Sequence, residues 1–137
     1  MRLRPATPED VPQVQAIYAH HVLTGLGTFE EVPPGAAEMA GRCAAVLDRG
    51  LPWLVAEAGG EVLGYAYAGP FRTRAAYRFT VEDSVYVAEA ARGKGVGRSL
   101  LAALVEECEA LGLRQLVGVI GDSGNAASIP LHQACGF

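Results

Sequence analysis

The chain has 137 residues, half of them hydrophobic and 19% charged, with a formal charge of −4. These values fit one folded domain over residues 1–137 and exclude a disordered chain, while the acidic balance argues against a nucleic-acid surface. No apolar run is long enough to span a bilayer, and Met1-Arg2-Leu3-Arg4-Pro5 carries no apolar signal core.

In chain order, Arg2–Pro5 reads as a short first strand. A helix follows: Thr7 offers an N-cap, Pro8 suits a first helical position, and Asp10 is an acidic variant of the capping-box partner. Val11, Val14, Ile17 and Val22 fall roughly on one face. Gly25–Pro34 is punctuated as a loop. A second helix is expected over Ala36–Asp48, ended by Gly50. Trp53–Ala58 and Glu61–Ala68 flank Gly59-Gly60, a two-residue hairpin signal in which both glycines take positive φ. Gly69-Pro70 is expected to end that hairpin. Tyr77–Val87 is a β-rich run. A helix over about Gly97–Leu111 places Leu100, Leu101, Leu104, Cys108 and Leu111 on its core face, with Gly112 as its stop. Gln115–Ile120 is the next strand, which makes a βαβ unit with parallel strands. A last helix is expected to start near Ser128, because Pro130 is tolerated only in a first turn.

Cys43, Cys108 and Cys135 have no metal-ligand spacing and read as small buried hydrophobes, reduced in a cytoplasmic protein. His20-His21 has no second ligand pair, so both read as ordinary residues near a helix end and no metal is expected.

The segment richest in chemistry is Arg92-Gly93-Lys94-Gly95-Val96-Gly97-Arg98. Glycines at alternate positions let backbone N–H groups converge on an anion. The helix that opens there aims its positive end at the same spot. A Walker loop would need Lys-Ser/Thr after its last glycine, where Arg98-Ser99 stands. A Rossmann fingerprint would need glycine at Arg98 and would come early in the chain. The plain alternative is a turn that joins strand to helix.

Arg92-x-x-Gly95-x-Gly97 after Ser84–Val87 resembles the acyl-CoA signature of the GNAT superfamily of N-acetyltransferases. Asn125-x-x-Ser128, Leu131-His132 and Gly136-Phe137 resemble that superfamily's next motif. The wording is closest to the phosphinothricin and methionine-sulfoximine acetyltransferase branch, through Thr28-Phe29, Gly69-Pro70-Phe71-Arg72, Tyr77, Thr80 to Val87, and Val119-Ile120-Gly121-Asp122-Ser123 running into Asn125. The resemblance covers the whole chain. It implies an α/β (α+β) GNAT fold, with a mixed sheet whose parallel strands, Val81–Val87 and Gln115–Ile120, splay to admit acetyl-CoA. A bulge in the first of these strands would help the splay.

The resemblance also implies residue roles. Val85, Tyr86 and Val87 lie along the pantetheine arm. Arg92, Gly93, Lys94, Gly95, Val96, Gly97 and Arg98 wrap the pyrophosphate, and Asn125 and Ser128 line the far side. Glu82 is the general base that frees the amine's lone pair, since an ammonium has none. Within a strand it alternates in facing with Asp83, and partial burial would raise its pKa toward the operating pH. Many superfamily members carry a tyrosine acid where this chain has His132. The candidate donors to the thiolate are His132 and Tyr86, and CoA thiolate can also leave without much help. Arg72, Arg74 and Tyr77 would grip an acidic amino-acid-like acceptor, since guanidinium forks suit carboxylate, phosphinate or sulfoximine oxygens. Phe29 would pack against its body. The alternatives are an enzyme of the same fold with another amine acceptor, and a non-catalytic acyl-CoA-binding module.

Proteins with this motif set continue past the last helix into further strands. The expectation is therefore that the polypeptide is longer than 137 residues, or that its C-terminal strands are truncated or supplied by a partner. The family's homodimer would need those strands.

Overall fold

The computed structural model describes residues 1–24, 32–70, 80–112 and 115–118. A five-stranded sheet runs in chain order: β1 (Arg2–Pro5), β2 (Trp53–Ala58), β3 (Glu61–Pro70), β4 (Thr80–Val87) and β5 (Gln115–Gly118). The first four strands are antiparallel, and β4 and β5 are parallel. Helices α1 (Val11–Thr24) and α2 (Ala36–Asp48) cover one face, and α3 (Val96–Ala110) covers the other.

Most boundaries follow the local chemistry. Gly59 and Gly60 both take positive φ, +58° and +82°, which closes the β2–β3 hairpin. Gly50 and Gly112 stop α2 and α3 in the left-handed region. The helix expected from Thr7 opens instead as a 3₁₀ turn over Pro8–Asp10, and α1 begins at Val11. The reason is Pro12: it has no N–H to give the Pro8 carbonyl, and the Val11 N–H takes that carbonyl instead. Asp10 accepts the Thr7 N–H at 2.7 Å, as the capping reading requires. The same carboxylate takes both guanidinium nitrogens of Arg4, at 2.7 and 2.8 Å, while Arg4 also reaches Glu57 at 2.9 Å. Arg4, followed by the Thr7 N–H, holds the Asp10 carboxyl below its ordinary range against the opposing effect of burial.

Two details differ from the sequence reading. β3 runs on through Gly69 and Pro70, which pair with Glu82 and Val81. The N–H that proline lacks would face the β2 side, where the ladder has ended at Trp53↔Tyr67, so no bond is lost. The bulge lies one strand over from its expected place. β3 and β4 pair from Gly64↔Val87 to Pro70↔Val81 without a shift, whereas β2 and β3 slip between Ala56↔Gly64 and Glu57↔Val62. Leu63 is the extra residue.

The bulge adjoins a close approach. A Cβ on Gly64 would stand 2.9 Å from the Tyr86 carbonyl oxygen, and 3.2 Å from both Val96 Cγ1 and Leu100 Cδ1. Only glycine lets α3 sit this near the sheet. Ala56, Ala66 and Ala68 extend the same small-residue floor under Leu100, Leu101 and Leu104, all of them fully buried.

Candidate active site

The candidate residues of β4 alternate between two faces. Tyr86 packs with the cluster beneath α1 and α2, and cross-strand pairing sets Glu82 and Ser84 on the same face. Asp83, Val85 and Val87 face α3; Val85 and Val87 pack there with Leu100 and its neighbours. So the two adjacent carboxylates part company. Asp83 is buried, at 5% exposure, while Glu82 is half-buried. Burial raises the Glu82 carboxyl above its ordinary value, and the nearby Asp83 charge adds to the rise.

The backbone of β4 also alternates. The Ala88 N–H reaches the Leu63 carbonyl of β3 at 2.8 Å. Counting back from it, Tyr86, Ser84 and Glu82 turn their peptide groups to β3, and Val87, Val85 and Asp83 turn theirs to the other side. On that side, the described ladder to β5 pairs Thr80↔Gln115 through Asp83↔Gly118. Val85 and Val87 turn their backbone groups to this same side, beyond the described part of that ladder. Tyr86 does not: its backbone faces β3, and its ring lies in an aromatic cluster. That ring meets Tyr18 at 5.1 Å, His21 at 5.2 Å and Tyr65 at 5.4 Å between centroids.

A 3₁₀ turn over Glu89–Ala91 leads from β4 into the glycine loop. Gly93 and Gly95 both sit at φ +77°, and Gly95 is the N-cap of α3. A Cβ at either would project into open space, so the left-handed backbone conformation and not crowding demands glycine there. The first turn of α3 holds no acidic residue. Arg92, Lys94 and Arg98 are exposed around it. This donor set fits a pyrophosphate: the backbone N–H groups that open α3 and its positive end, ringed by cations.

The cysteines supply no nucleophile among the described residues. Burial pushes the Cys108 thiol up to about 11 and also raises that of Cys43, so both stay thiols near neutral pH. His20 and His21 are more than residues near a helix end. His20 Nε2 lies 3.1 Å from a Glu89 carboxylate oxygen, and buried His21 bonds the Val87 carbonyl at 3.0 Å. No sequence signal pointed to the His21 contact, which is tertiary. Gly64 did leave one, an isolated glycine inside a strand pattern. Phe29, Arg72, Arg74, Tyr77, Asn125, Ser128 and His132 lie outside the described residues, as do Cys135 and the expected last helix.

A mixed sheet with one parallel pair, and a glycine loop opening the helix between those two strands, fit an acyl-CoA-type transferase architecture. The acetyltransferase (GNAT) family model matches residues 15–137, and the chain belongs to that family. The chain is 59% identical over 135 residues to the phosphinothricin N-acetyltransferase of Alcaligenes faecalis, covering 98% of this chain and 68% of that protein. It is 44% identical to the L-methionine sulfoximine/L-methionine sulfone acetyltransferase of Pseudomonas aeruginosa, over 98% of this chain and 78% of the relative. The crystal structure of a Sinorhizobium meliloti phosphinothricin acetyltransferase in complex with acetyl-CoA superposes with a TM-score of 0.95 at 49% identity, over 98% of this chain and 73% of that one.

Proposed function

We propose that this N-acetyltransferase moves the acetyl group of acetyl-CoA to the amine of a small acidic amino-acid-like acceptor of the phosphinothricin or methionine-sulfoximine type. The observation that carries it is Glu82: a half-buried carboxylate with a raised pKa, on the strand that leads through a 3₁₀ turn into the glycine loop. The acceptor class draws its support from the relatives' names and from the resemblance of Phe29, Arg72, Arg74 and Tyr77 to that branch.

In this reading Arg92 to Arg98 hold the pyrophosphate, while the backbone of Val85 and Val87 guides the pantetheine, with Asn125 and Ser128 across from it. Bound acetyl-CoA supplies the acetyl thioester. The Glu82 carboxylate accepts a proton from the acceptor's ammonium, and the amine's freed lone pair can then form the new C–N bond. A base whose pKa is raised toward the working pH does this best. His132 is the proposed donor to the leaving thiolate. The Tyr86 phenol is the second candidate, and its packing with Tyr18, His21 and Tyr65 holds the ring in place. Residues 1–137 are proposed to belong to one domain, and the protein to act as a cytoplasmic homodimer. The location rests on the reading of the cysteines as reduced, and the dimer rests on the family resemblance.

Release of free CoA thiol, measured over a panel of amino acids and their phosphinate and sulfoximine analogues, tests the reading. Acidic analogues are expected to turn over best. Glu82→Gln should keep acetyl-CoA affinity and lower kcat by on the order of 100-fold, the usual scale for a lost general base. Near-normal turnover by Glu82→Gln, or a preference for polyamines, would sink it.

A further inference from the structure

One peptide of the molecule, Val87–Ala88, is held from both ends. Its N–H, on Ala88, donates to the Leu63 carbonyl of β3 at 2.8 Å. Its carbonyl, on Val87, lies 3.0 Å from Nε2 of His21, which projects from the last turns of α1. A carbonyl only accepts, so His21 carries a proton on Nε2 and donates it. The ring is buried and stands edge-on to Tyr86, which limits its freedom to turn away. The neighbouring His20 reaches Glu89, so the end of α1 grips the chain on both sides of the exit from β4.

The position of this carbonyl gives the contact its meaning. It points away from β3, to the side where a neighbouring strand would ordinarily take it. Among the described residues, the ladder to β5 stops at Asp83↔Gly118. A carbonyl left unpaired in such a place draws the backbone toward any donor within reach. His21 supplies a donor from α1, so the Val87 carbonyl is not an orphaned acceptor. The segment beyond hangs from the same peptide. The Ala91 N–H bonds the Ala88 carbonyl at 2.9 Å and the Arg92 N–H bonds that of Glu89 at 3.2 Å, and the glycine loop begins at Arg92.

We propose that His21 is a positioning residue for acetyl-CoA binding. It fixes the Val87–Ala88 peptide and thereby the register of two things: the end of β4 and the start of the pyrophosphate loop. It touches no reacting atom. The inference rests on the acetyl-CoA site proposed above.

The test uses the full chain and two variants. His21→Met fills the volume and removes the donor, and His21→Gln restores an N–H at similar reach. His21→Met is expected to raise KM for acetyl-CoA about tenfold, the scale of one buried hydrogen bond, with kcat within about twofold. His21→Gln should recover at least half of that loss. Thermal melts of both variants establish that they fold. An unchanged KM in His21→Met overturns the proposal. So does an equal loss in both folded variants, or a fall in kcat alone. Should His21→Met not fold, nitrogen-15 NMR of the unaltered protein decides: a ring proton on Nδ1 and none on Nε2 overturns it. Gly95→Val separates this from the underlying reading. If a folded Gly95→Val protein binds acetyl-CoA normally, the loop is not the pyrophosphate site; if it loses binding while His21→Met does not, only the role of His21 falls.

Discussion

The two faces of the sheet are built from different materials. Against α3 lie Ala56, Ala66, Ala68 and Gly64, small residues that let the aliphatic side of the helix press close. Against α1 and α2 lie Trp53, Tyr65, Tyr67 and Tyr86, with Tyr18 and His21 facing them. Trp53 and Tyr67 stack at 4.0 Å, and Tyr65 lies nearly parallel to both. The first face is a mechanical seat. It sets the height of α3, and with it the place of the anion loop at the helix's N-terminus. The second face is polar at its ring edges and carries the half-buried Glu82 at its margin. Close packing tolerates little change of volume, whereas large flat rings with polar tips suit surfaces that must meet a ligand. The difference teaches that one strand, β4, serves both: Val85 and Val87 pack into the seat, while Tyr86 joins the aromatic side, on the face that also carries Glu82.

The largest effect should come from damaging the seat. Leu104→Ala removes a fully buried side chain from beneath α3. It is expected to cost about 3 kcal/mol of stability, the middle of the range for such truncations. Leu47→Ala, on exposed α2 surface, should stay within about 0.5 kcal/mol. Urea titration of both variants checks the pair. A loss below about 1 kcal/mol at Leu104 would show that the seat is looser than its packing indicates.

A second test asks whether the faces speak to one another across β4. Glu82 is raised first by burial and then by the Asp83 charge on the opposite face. A base must be deprotonated to work, so the rate should fall as pH drops through the raised Glu82 pKa. The acidic limb of kcat/KM against pH is therefore expected above the position an unperturbed glutamate would give. Asp83→Asn removes the second cause and leaves the first. The limb, normalised to the variant's own plateau, should move to lower pH without reaching the unperturbed position. A limb that stays in place would mean the two carboxylates are insulated from each other, or that another group sets it.

How much of this could be read in advance depended on the range of the interaction. Gly59-Gly60, Gly50 and Gly112 announce their turns because positive φ is a local demand that few other residues meet. The glycine turn before α3 was legible for the same reason, with α3 starting at Val96, one residue before its expected Gly97. The separation of Glu82 from Asp83 followed from strand alternation alone. Pro12 was also in plain sight, and its missing N–H explains the 3₁₀ start that the capping signals hid. The bulge was misplaced because a register slip belongs to a pair of strands, and β2 and β3 share it only once they are aligned. The extra length of β3 needed knowledge of where β2 ends. His21 was the least legible: its partner, Val87, lies 66 residues away, and nothing in a histidine's neighbours names a distant carbonyl.

The smallest expected effect concerns a polar atom on the aromatic face. Tyr65 is fully buried, and its hydroxyl finds no hydrogen-bond partner among the described residues. Burial raises its phenol far above the ordinary value, so the group stays protonated and presents a donor with nothing to receive it. An unsatisfied buried hydroxyl costs free energy that its ring's burial must offset. Tyr65→Phe keeps the ring, its stacking on Trp53 and its contact with Tyr86, and removes only that atom. The variant is expected to be more stable, by about 1 kcal/mol, raising Tm by roughly 3 °C for a domain of this size. On the α3 face the same one-atom loss would leave a packing defect and lower Tm. A fall of Tm in Tyr65→Phe would mean that the hydroxyl is satisfied by buried water held within the aromatic cluster, and the contrast between the two faces would then lie in hydration and not in packing alone.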